Sequence, residues 1–395
     1  MINNLVLVSI FLIAFSSFAQ PLSEAESRHL AASQQLLADG QYQQAQSRFE
    51  QLQQQYSRQR RPTAQAYALY YLSQVELQQQ RYDAALKHLE QAYQLQQLAE
   101  PVQQQSLLMI AQLQLQTQQW QRAISSFQRW KTQSGETINY QLEYWLAQAQ
   151  ARAERWPAAA QSIQLALNQP SPAPLSWWQL AVVIYSQQQD WPAAIAAQQH
   201  ILDARPEDMS AWWQITQLYL QHGQMQQAQA YLEQAHHLGL FSQAEHYRLL
   251  SKLMQQQNQP YQAARLVSEG MQRDILSGQH QELCRLWLSA KEYARAAKCF
   301  EQHVKVHQDA NSYQLLAYAQ TQLGEFKASI NSYQQANQLS GAMRAENYLQ
   351  QGLLYLRLQY YNEAYQALKK AAAFPATATT SQQALDYLKQ RQSLP

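Results

Sequence analysis

Apolar residues recur along this chain at spacings of three and four, and the polar positions between them are mostly glutamine. The segment Met209–Ser242 shows the pattern most clearly. One face of a first helix is formed by four side chains: Trp212, Ile215, Thr216 and Tyr219. Gly223 then breaks the run, because glycine readily adopts the left-handed conformation that ends a helix. A second face follows at the same spacings: Ala228, Leu232 and Ala235. The segment therefore predicts two antiparallel helices joined by a short turn.

The turn between the two helices recurs ten times, in hexapeptides such as GQYQQA (Gly40–Ala45) and ERWPAA (Glu154–Ala159). Each copy has an aromatic residue or methionine near its centre: Tyr42, Tyr82, Trp120, Trp156, Trp191, Met225, Tyr261, Tyr293, Phe326 and Tyr361. Successive copies lie 32 to 40 residues apart, and most gaps are close to 34. We expect the small residue that follows, usually alanine, to let the two helices pack closely. The aromatic side chain would fill the opening between them.

A helix–turn–helix unit repeated with this period resembles the tetratricopeptide repeat family. The resemblance covers nearly the whole chain. It implies an all-α fold, a right-handed α-solenoid of about ten helix pairs, over residues 20–376. A C-terminal capping helix and tail would follow over residues 377–395, with Thr379–Gln392 as a helix that has a polar outer face.

Roughly one residue in five is glutamine, and charged residues make up 14% of the chain, against a usual ~25%. The glutamines lie between the periodic apolar residues, and glutamine has good helix propensity. We therefore predict that they solvate the outer faces of folded helices. The alternative is aggregation-prone low-complexity sequence, which the apolar period argues against. The net charge of +2 gives no large charged field that would attract nucleic acid or an anionic membrane surface.

The first residues are typical of a secretory signal peptide. The apolar run Leu5–Phe15 is too short to span a bilayer and is followed by small residues. Ser17 and Ala19 fit the −3 and −1 sites, so we predict a signal peptide over residues 1–19 with cleavage between Ala19 and Gln20. An uncleaved short anchor is the alternative. The prediction places the mature protein, without a membrane span, in a bacterial periplasm.

No segment outside the predicted array is long enough for a catalytic domain. The chain also lacks the motifs GxxxxGK(S/T), GxGxxG, GxSxG and HExxH, which are typical of nucleotide-binding sites, hydrolases and zinc proteases. We therefore predict a protein that is not an enzyme and has no cofactor. His303 and His307 could share a helix face as metal ligands, but without a third ligand nearby a solvated helix end is favoured. His236 and His237 would close a helix, where imidazoles suit the negative end of the dipole.

The chain contains two cysteines, Cys284 and Cys299. In the predicted frame they lie on the two helices of the eighth unit, and an oxidising compartment permits a disulfide between them. We favour two small buried thiols, with the disulfide as the alternative. Two cysteines alone cannot form a metal site.

The concave side of the solenoid, lined by the first helices, is the expected binding surface. Its outward positions carry amides interspersed with aromatic and apolar side chains: Tyr67, Tyr70, Gln74, Leu108, Gln112, Tyr144, Gln148, Gln179, Val183, Trp213, Gln217, Leu249, Leu253, Arg285 and Tyr318. Glutamine can donate to and accept from the backbone of an extended peptide. Trp213 stands out because Trp212 already fills the core position, and an exposed indole is a typical hot-spot residue. The alternative is that these residues only solvate the groove. The sequence predicts no Lys/Arg-rich clamp for acidic chain ends.

From about Gln103 onward, several stretches resemble the periplasmic tetratricopeptide proteins associated with TonB systems of gammaproteobacteria. They are QQSLLMIAQLQLQTQQWQRAISSFQRW, MSAWWQITQLYLQHG, AYLEQAHHLGL with HYRLLSKLM, and QPYQAARLVSEGM. The first two units depart from that family and lack its early cysteine. The resemblance implies an accessory scaffold for a TonB complex that powers outer-membrane uptake, for example of iron chelates.

The sequence thus favours a non-enzymatic periplasmic scaffold that binds protein partners of the bacterial envelope. TonB-complex components are the partners that the resemblance implies. A scaffold for cell-wall or outer-membrane assembly machinery is one alternative. A metal- or small-ligand-handling protein is the other.

Overall fold

The computed structural model describes residues 22–135, 139–339 and 343–392. Within these ranges the chain forms α-helices and turns and no β-strand, which confirms the predicted all-α class. The predicted signal peptide and its cleavage site lie outside the described residues. The chain divides into two compact units between Arg205 and Pro206, and each unit is a run of consecutive helix pairs.

The helices of the first unit are α1 (Glu24–Ala38), α2 (Tyr42–Arg58), α3 (Pro62–Gln78), α4 (Tyr82–Gln94), α5 (Glu100–Gln116), α6 (Trp120–Ser134), α7 (Tyr140–Arg152), α8 (Trp156–Leu167), α9 (Leu175–Gln187) and α10 (Trp191–Ala204). The helices of the second unit are α11 (Met209–Gln221), α12 (Met225–His237), α13 (Ala244–Gln256), α14 (Pro260–Gln272), α15 (His280–Ser289), α16 (Tyr293–Val306), α17 (Ala310–Gln322), α18 (Phe326–Gln338), α19 (Arg344–Arg357), α20 (Tyr361–Ala372) and α21 (Ala378–Gln392). Odd-numbered helices from α1 to α19 are the first helices of their pairs, and even-numbered helices are the second.

The second helix of nearly every pair begins at the aromatic or methionine residue that marks the predicted turn. Thus α2 begins at Tyr42, α6 at Trp120 and α18 at Phe326. The residue two positions before each second helix has a positive φ angle. It is glycine in three pairs: Gly40, Gly223 and Gly324. This left-handed residue ends the first helix and reverses the chain, so that the second helix packs antiparallel to the first.

Two rows of small side chains let the helices of each pair approach closely. One row lies three residues into each second helix and is fully buried: Ala45, Ala85, Ala123, Ala159, Ala194, Ala228, Ala263, Ala296, Ser329 and Ala364. The other row lies on the first helices, nine residues before the second helix begins, and includes Ala317 and Gly352. A Cβ atom built on Gly352 would lie only 2.6 Å from Cγ of Leu368. The first helix of the tenth pair therefore needs a small residue here, whereas the fifth and sixth pairs accommodate Val182 and Thr216.

We expect Ala228→Leu to lower the free energy of unfolding by about 1–3 kcal/mol, because the extra methylene groups overpack a filled contact. Ala228 is fully buried on α12, whereas Ala230 is exposed two residues further along the same helix. Ala230→Leu is therefore the matched control and should leave stability almost unchanged. Urea unfolding of the two variants measures the difference, and equal midpoints would show that α12 does not pack on α11 as described.

Cys284 and Cys299 form a disulfide between α15 and α16, with their Cα atoms 5.3 Å apart. The favoured interpretation of two free thiols is therefore wrong. Cys284 belongs to the small-residue row of the first helices, where the two helices approach most closely, and Cys299 lies opposite it on α16. Close approach at this row brings the two sulfur atoms within bonding distance.

The last helix, α21, caps the array as predicted. Its buried residues Leu385 and Leu388 pack against three residues of α20: Ala364, Leu368 and Ala371. Its other side carries exposed polar residues: Gln382, Asp386 and Lys389. A polar outer face of this kind ends a stack of repeats without leaving an apolar surface.

Candidate binding faces on the first helices

The outward side chains of the first helices form the candidate binding surface of each unit. We number positions back from the first residue of the second helix, so that position −8 lies eight residues before it. Positions −12 and −8 are about one helical turn apart and share a side of the helix. We call the side chains at these two positions the first-helix face, and we describe it separately for each unit.

The first-helix face of the first unit carries uncharged side chains. Seven predicted site residues lie at its surface, half-buried or exposed: Tyr70, Gln74, Leu108, Gln112, Gln148, Gln179 and Val183. Position −8 is a half-buried glutamine in the second, third and fourth pairs, and Val183, in the fifth pair, is 50% exposed. The Gln74 side-chain amide lies 3.6 Å from Sδ of Met109 on the next first helix. This contact orients the Gln74 amide across the face.

Two predicted site residues of the first unit are buried and cannot contact a partner. The Tyr67 hydroxyl accepts a hydrogen bond of 3.2 Å from the backbone N–H of Ala99. The Tyr144 ring stacks on Trp177, with ring centroids 5.0 Å apart and planes within 10°. Burial raises the pKa of the Tyr144 phenol. Both rings pack between consecutive repeats and are covered by the residues that follow, so they stabilise the stack.

The register of the seventh pair differs by one residue from the prediction. Its second helix, α14, begins at Pro260, whereas the turn pattern places the start at Tyr261. Leu253 is therefore only 2% exposed and belongs to the core, while Leu249 is half-buried. Positions −12 and −8 are occupied by Arg248 and Lys252, both exposed. The sequence contains a signal for this register, because proline is favoured at the first position of a helix.

The other predicted residues of the second unit lie at its surface. Trp213 and Gln217 are half-buried, Arg285 is exposed and Tyr318 is 45% exposed. The Trp213 ring contacts the buried ring of His246 on α13, with centroids 5.4 Å apart. One side of the indole is thus covered by the neighbouring repeat, which leaves Trp213 less available than the sequence predicts.

The first-helix face of the second unit carries three cations, of which the sequence predicted only Arg285. Arg248, Lys252 and Arg285 are exposed, and none of them forms an ion pair with another residue that the structure describes. Glu245 and Glu282, on the same two first helices, are exposed as well. These two first helices therefore carry three cations and two carboxylates, in contrast to the uncharged positions of the first unit.

His236 has a structural role at the end of α12. Its Nε2 atom lies 3.0 Å from both carboxylate oxygens of Glu269 on α14. The Tyr247 hydroxyl donates to the same carboxylate at 3.1 Å. Burial alone would raise the pKa of the Glu269 carboxyl, but the hydrogen bonds from His236, Tyr247 and Arg273 hold it below its usual value. The hydrogen bonds of this network thus link three successive helices, α12, α13 and α14.

His303 and His307 lie close together, with ring centroids 5.0 Å apart. His303 Nε2 is 3.6 Å from the Asp309 carboxylate, and burial lowers the pKa of the His303 imidazole. Over residues 22–135, 139–339 and 343–392, no group of three or more His, Cys, Asp or Glu side chains could hold a metal ion. The pair thus has a carboxylate neighbour but no metal-binding geometry.

The helices in the described part of the chain include none that is long and apolar enough to cross a membrane.

Comparison with known proteins gives matches to repeat families. One family model, described as tetratricopeptide repeat, matches residues 30–100 and 73–137, and a second of the same description matches residues 310–342. No curated protein matches the chain significantly.

Three of the matching solved structures have TM-scores between 0.37 and 0.47. The structure of Naa15/Naa10 bound to HypK-THB matches 82% of this chain at 14% identity and a TM-score of 0.47, and this chain spans 51% of its length. A tetratricopeptide repeat protein from Parabacteroides merdae matches 67% of this chain and all of its own, at 14% identity and a TM-score of 0.40. YrrB, described as a tetratricopeptide protein with an unusual peptide-binding site, matches 48% of this chain and 97% of its own, at 14% identity and a TM-score of 0.37.

Proposed function

Because residues 30–137 and 310–342 match the tetratricopeptide repeat models, we propose that this protein is a non-enzymatic scaffold that binds protein segments on its first-helix faces. The paired helices are suited to protein–protein interaction, since within each unit every repeat adds one more row of side chains to the surface. The first-helix face of the first unit is the observation that carries the proposal.

That face repeats one chemical group at a regular interval. Gln74, Gln112 and Gln148 occupy position −8 in three consecutive repeats. Packed helices lie roughly 8–10 Å apart, and an extended peptide rises about 3.3 Å per residue. Each amide would therefore meet about every third residue of a peptide that crosses the helices. A side-chain amide both donates and accepts, so it can bond to the peptide backbone without selecting a particular side chain.

We further propose that the protein acts in the bacterial periplasm. The apolar run Leu5–Phe15 followed by small residues supports export. The disulfide between Cys284 and Cys299 is an independent argument, because disulfides persist in oxidising compartments and are rare in the cytosol. The likeness of the segments after Gln103 to TonB-associated proteins supports an accessory role in a TonB-dependent uptake system.

In-cell photo-cross-linking tests this function. A photoreactive residue replaces Val183 in the first unit or Tyr318 in the second, both exposed on first helices. Gln164 on α8 and Gln302 on α16 are exposed on second helices and serve as matched controls. We expect adducts with TonB or its inner-membrane motor proteins at Val183 and Tyr318, and few or none at the controls.

Two other outcomes would reject either the TonB assignment or the proposed binding surface. Adducts with cell-wall or outer-membrane assembly proteins would keep the scaffold and remove the TonB assignment. Equal labelling at the controls, or no adduct at either face position, would reject the first-helix faces as the binding surface.

A further inference from the structure

An open cleft of about 570 Å³ lies on the tenth repeat, between α18, α19 and α20. Its residues from α19, Tyr348, Gln351 and Tyr355, follow each other at spacings of three and four and therefore share one side of that helix. Leu353, at position −8 of the same helix, lies about 200° around the axis from Gln351, since successive residues turn by about 100°. The cleft is thus separate from the first-helix face.

Aromatic rings and amides provide most of the lining. Three tyrosines contribute rings: Tyr348, Tyr355 and Tyr365. Four side-chain amides accompany them: Gln334, Gln351, Asn362 and Gln366. The Gln334 amide donates to the Tyr355 hydroxyl at 3.2 Å, which fixes one edge of the cleft. Ala367 is the only aliphatic residue among those that line it.

Gln351 has an unsatisfied hydrogen-bond donor in the cleft wall. The residue is only 4% exposed, and its Nε2 atom has no hydrogen-bond partner among the described residues. A buried donor without a partner is costly, and native proteins rarely leave one unless a ligand or water satisfies it. The last torsion of a glutamine side chain is soft, so rotation about it is the way in which this nitrogen would reach a ligand in the cleft.

The charges of the cleft balance each other. Glu363 and Lys370 are its two ionisable side chains apart from the tyrosines, and both are exposed. The Lys370 ammonium group lies 5.4 Å from the centroid of the Tyr348 ring, so the ring already stabilises part of its charge. The two charges cancel, so the lining has no excess charge that would select a strongly charged ligand.

We propose that this cleft binds a neutral saccharide. One face of a sugar ring is apolar and fits the flat tyrosine rings, while its rim of hydroxyl groups needs closely spaced donors and acceptors. Amides and phenols supply both, and the unpaired Gln351 donor is placed to bond a hydroxyl oxygen.

Saturation-transfer difference NMR on the full mature chain tests the proposal, with a panel of neutral trisaccharides as probes: maltotriose, cellotriose, mannotriose, galactotriose and chitotriose. We expect transfer to at least one of them. Asn362→Ala with Gln366→Ala removes two exposed amides of the lining. It should weaken binding of that saccharide by about fivefold to 140-fold, since each of the two lost hydrogen bonds is worth about 0.5–1.5 kcal/mol and 1.4 kcal/mol is tenfold.

The matched control is Gln382→Ala with Gln383→Ala, which removes two exposed amides from α21 outside the cleft. This variant should bind as the unmodified protein does. Transfer to none of the trisaccharides, or equal transfer in the cleft variant, would overturn the proposal. Binding of an acidic polysaccharide or of a peptide in place of the neutral panel would overturn it as well. None of these outcomes depends on the protein partner of the first-helix faces.

Discussion

Replacing six residues at the turns within the repeats by glycine is expected to raise the free energy of unfolding by about 3–6 kcal/mol in total. The six residues have φ angles between 57° and 64°: Gln80, Gln118, Glu154, Gln189, Lys291 and Gln359. A side chain in this left-handed conformation costs about 1–2 kcal/mol. Glycine avoids this cost, but its greater loss of conformational entropy on folding costs about 0.4–1 kcal/mol. The net gain in the free energy of unfolding is therefore about 0.5–1 kcal/mol at each turn. Asn258 occupies the equivalent place in the seventh repeat and is left unchanged, because asparagine tolerates this conformation.

The residue directly before each left-handed position provides the control substitution. Gln79 and Gln188 directly precede two of the six positions, and their φ angles are −89° and −83°. Gln79→Gly and Gln188→Gly should therefore destabilise the protein slightly, while Gln80→Gly and Gln189→Gly stabilise it. Repeat arrays often unfold in more than one step, so urea unfolding is best followed by two probes. If glycine had the same effect at both neighbouring positions, the left-handed turns would not be the source of the gain.

Reduction of the disulfide is expected to lower the free energy of unfolding by about 3 kcal/mol, the value for a closed loop of about 15 residues. The bond between Cys284 and Cys299 closes a loop with a sequence separation of 15. It links the two helices of one repeat in the interior of the second unit. Its loss should therefore weaken the repeats on either side, because each repeat is stabilised by its neighbours.

Thermal melting with and without reductant measures this effect. The variant Cys284→Ala with Cys299→Ala is the control: it should melt at a lower temperature than the oxidised protein and should not respond to reductant. Titration of the unfolded, unreduced protein for free thiols should find none. Two free thiols, or a melting temperature that reductant leaves unchanged, would contradict the structure of this repeat.

The periodic pattern predicted the helix pairs well, because it depends on contacts within a single repeat. The aromatic residue, the left-handed turn and the small residue three positions into the second helix all act between two helices that are adjacent in sequence. The aromatic and small residues could be read directly, and α2, α6 and α18 begin at the aromatic residue of the predicted turn. The left-handed residue was predicted only at Gly223. The start of α14 at Pro260 was missed because the prediction took Tyr261 as the residue that marks the turn, and Tyr261 is the second residue of that helix.

The binding surface was predicted less completely, because exposure depends on the next repeat. Tyr67 and Tyr144 occupy outward positions in a single helix pair, yet residues of the following repeat cover both rings. Arg248 and Lys252 were not predicted because the helix register of the seventh pair was placed one residue too far along the chain. The cleft of the tenth repeat combines side chains from three helices, and no spacing in the sequence indicates that Gln351 and Gln366 line the same cavity.

The glutamine-rich surface has a consequence for how the protein responds to dissolved salt. Many of its surface contacts are amide hydrogen bonds, such as the bond of 2.7 Å from Gln46 to Glu50, where other proteins place pairs of opposite charges. Added salt screens exposed charge pairs within a Debye length of about 8 Å at physiological ionic strength, but it has little effect on an amide dipole in contact with its acceptor. An array solvated in this way keeps its stability when the salt concentration around it rises or falls. That property suits a protein exposed to a medium whose salt content the cell does not control.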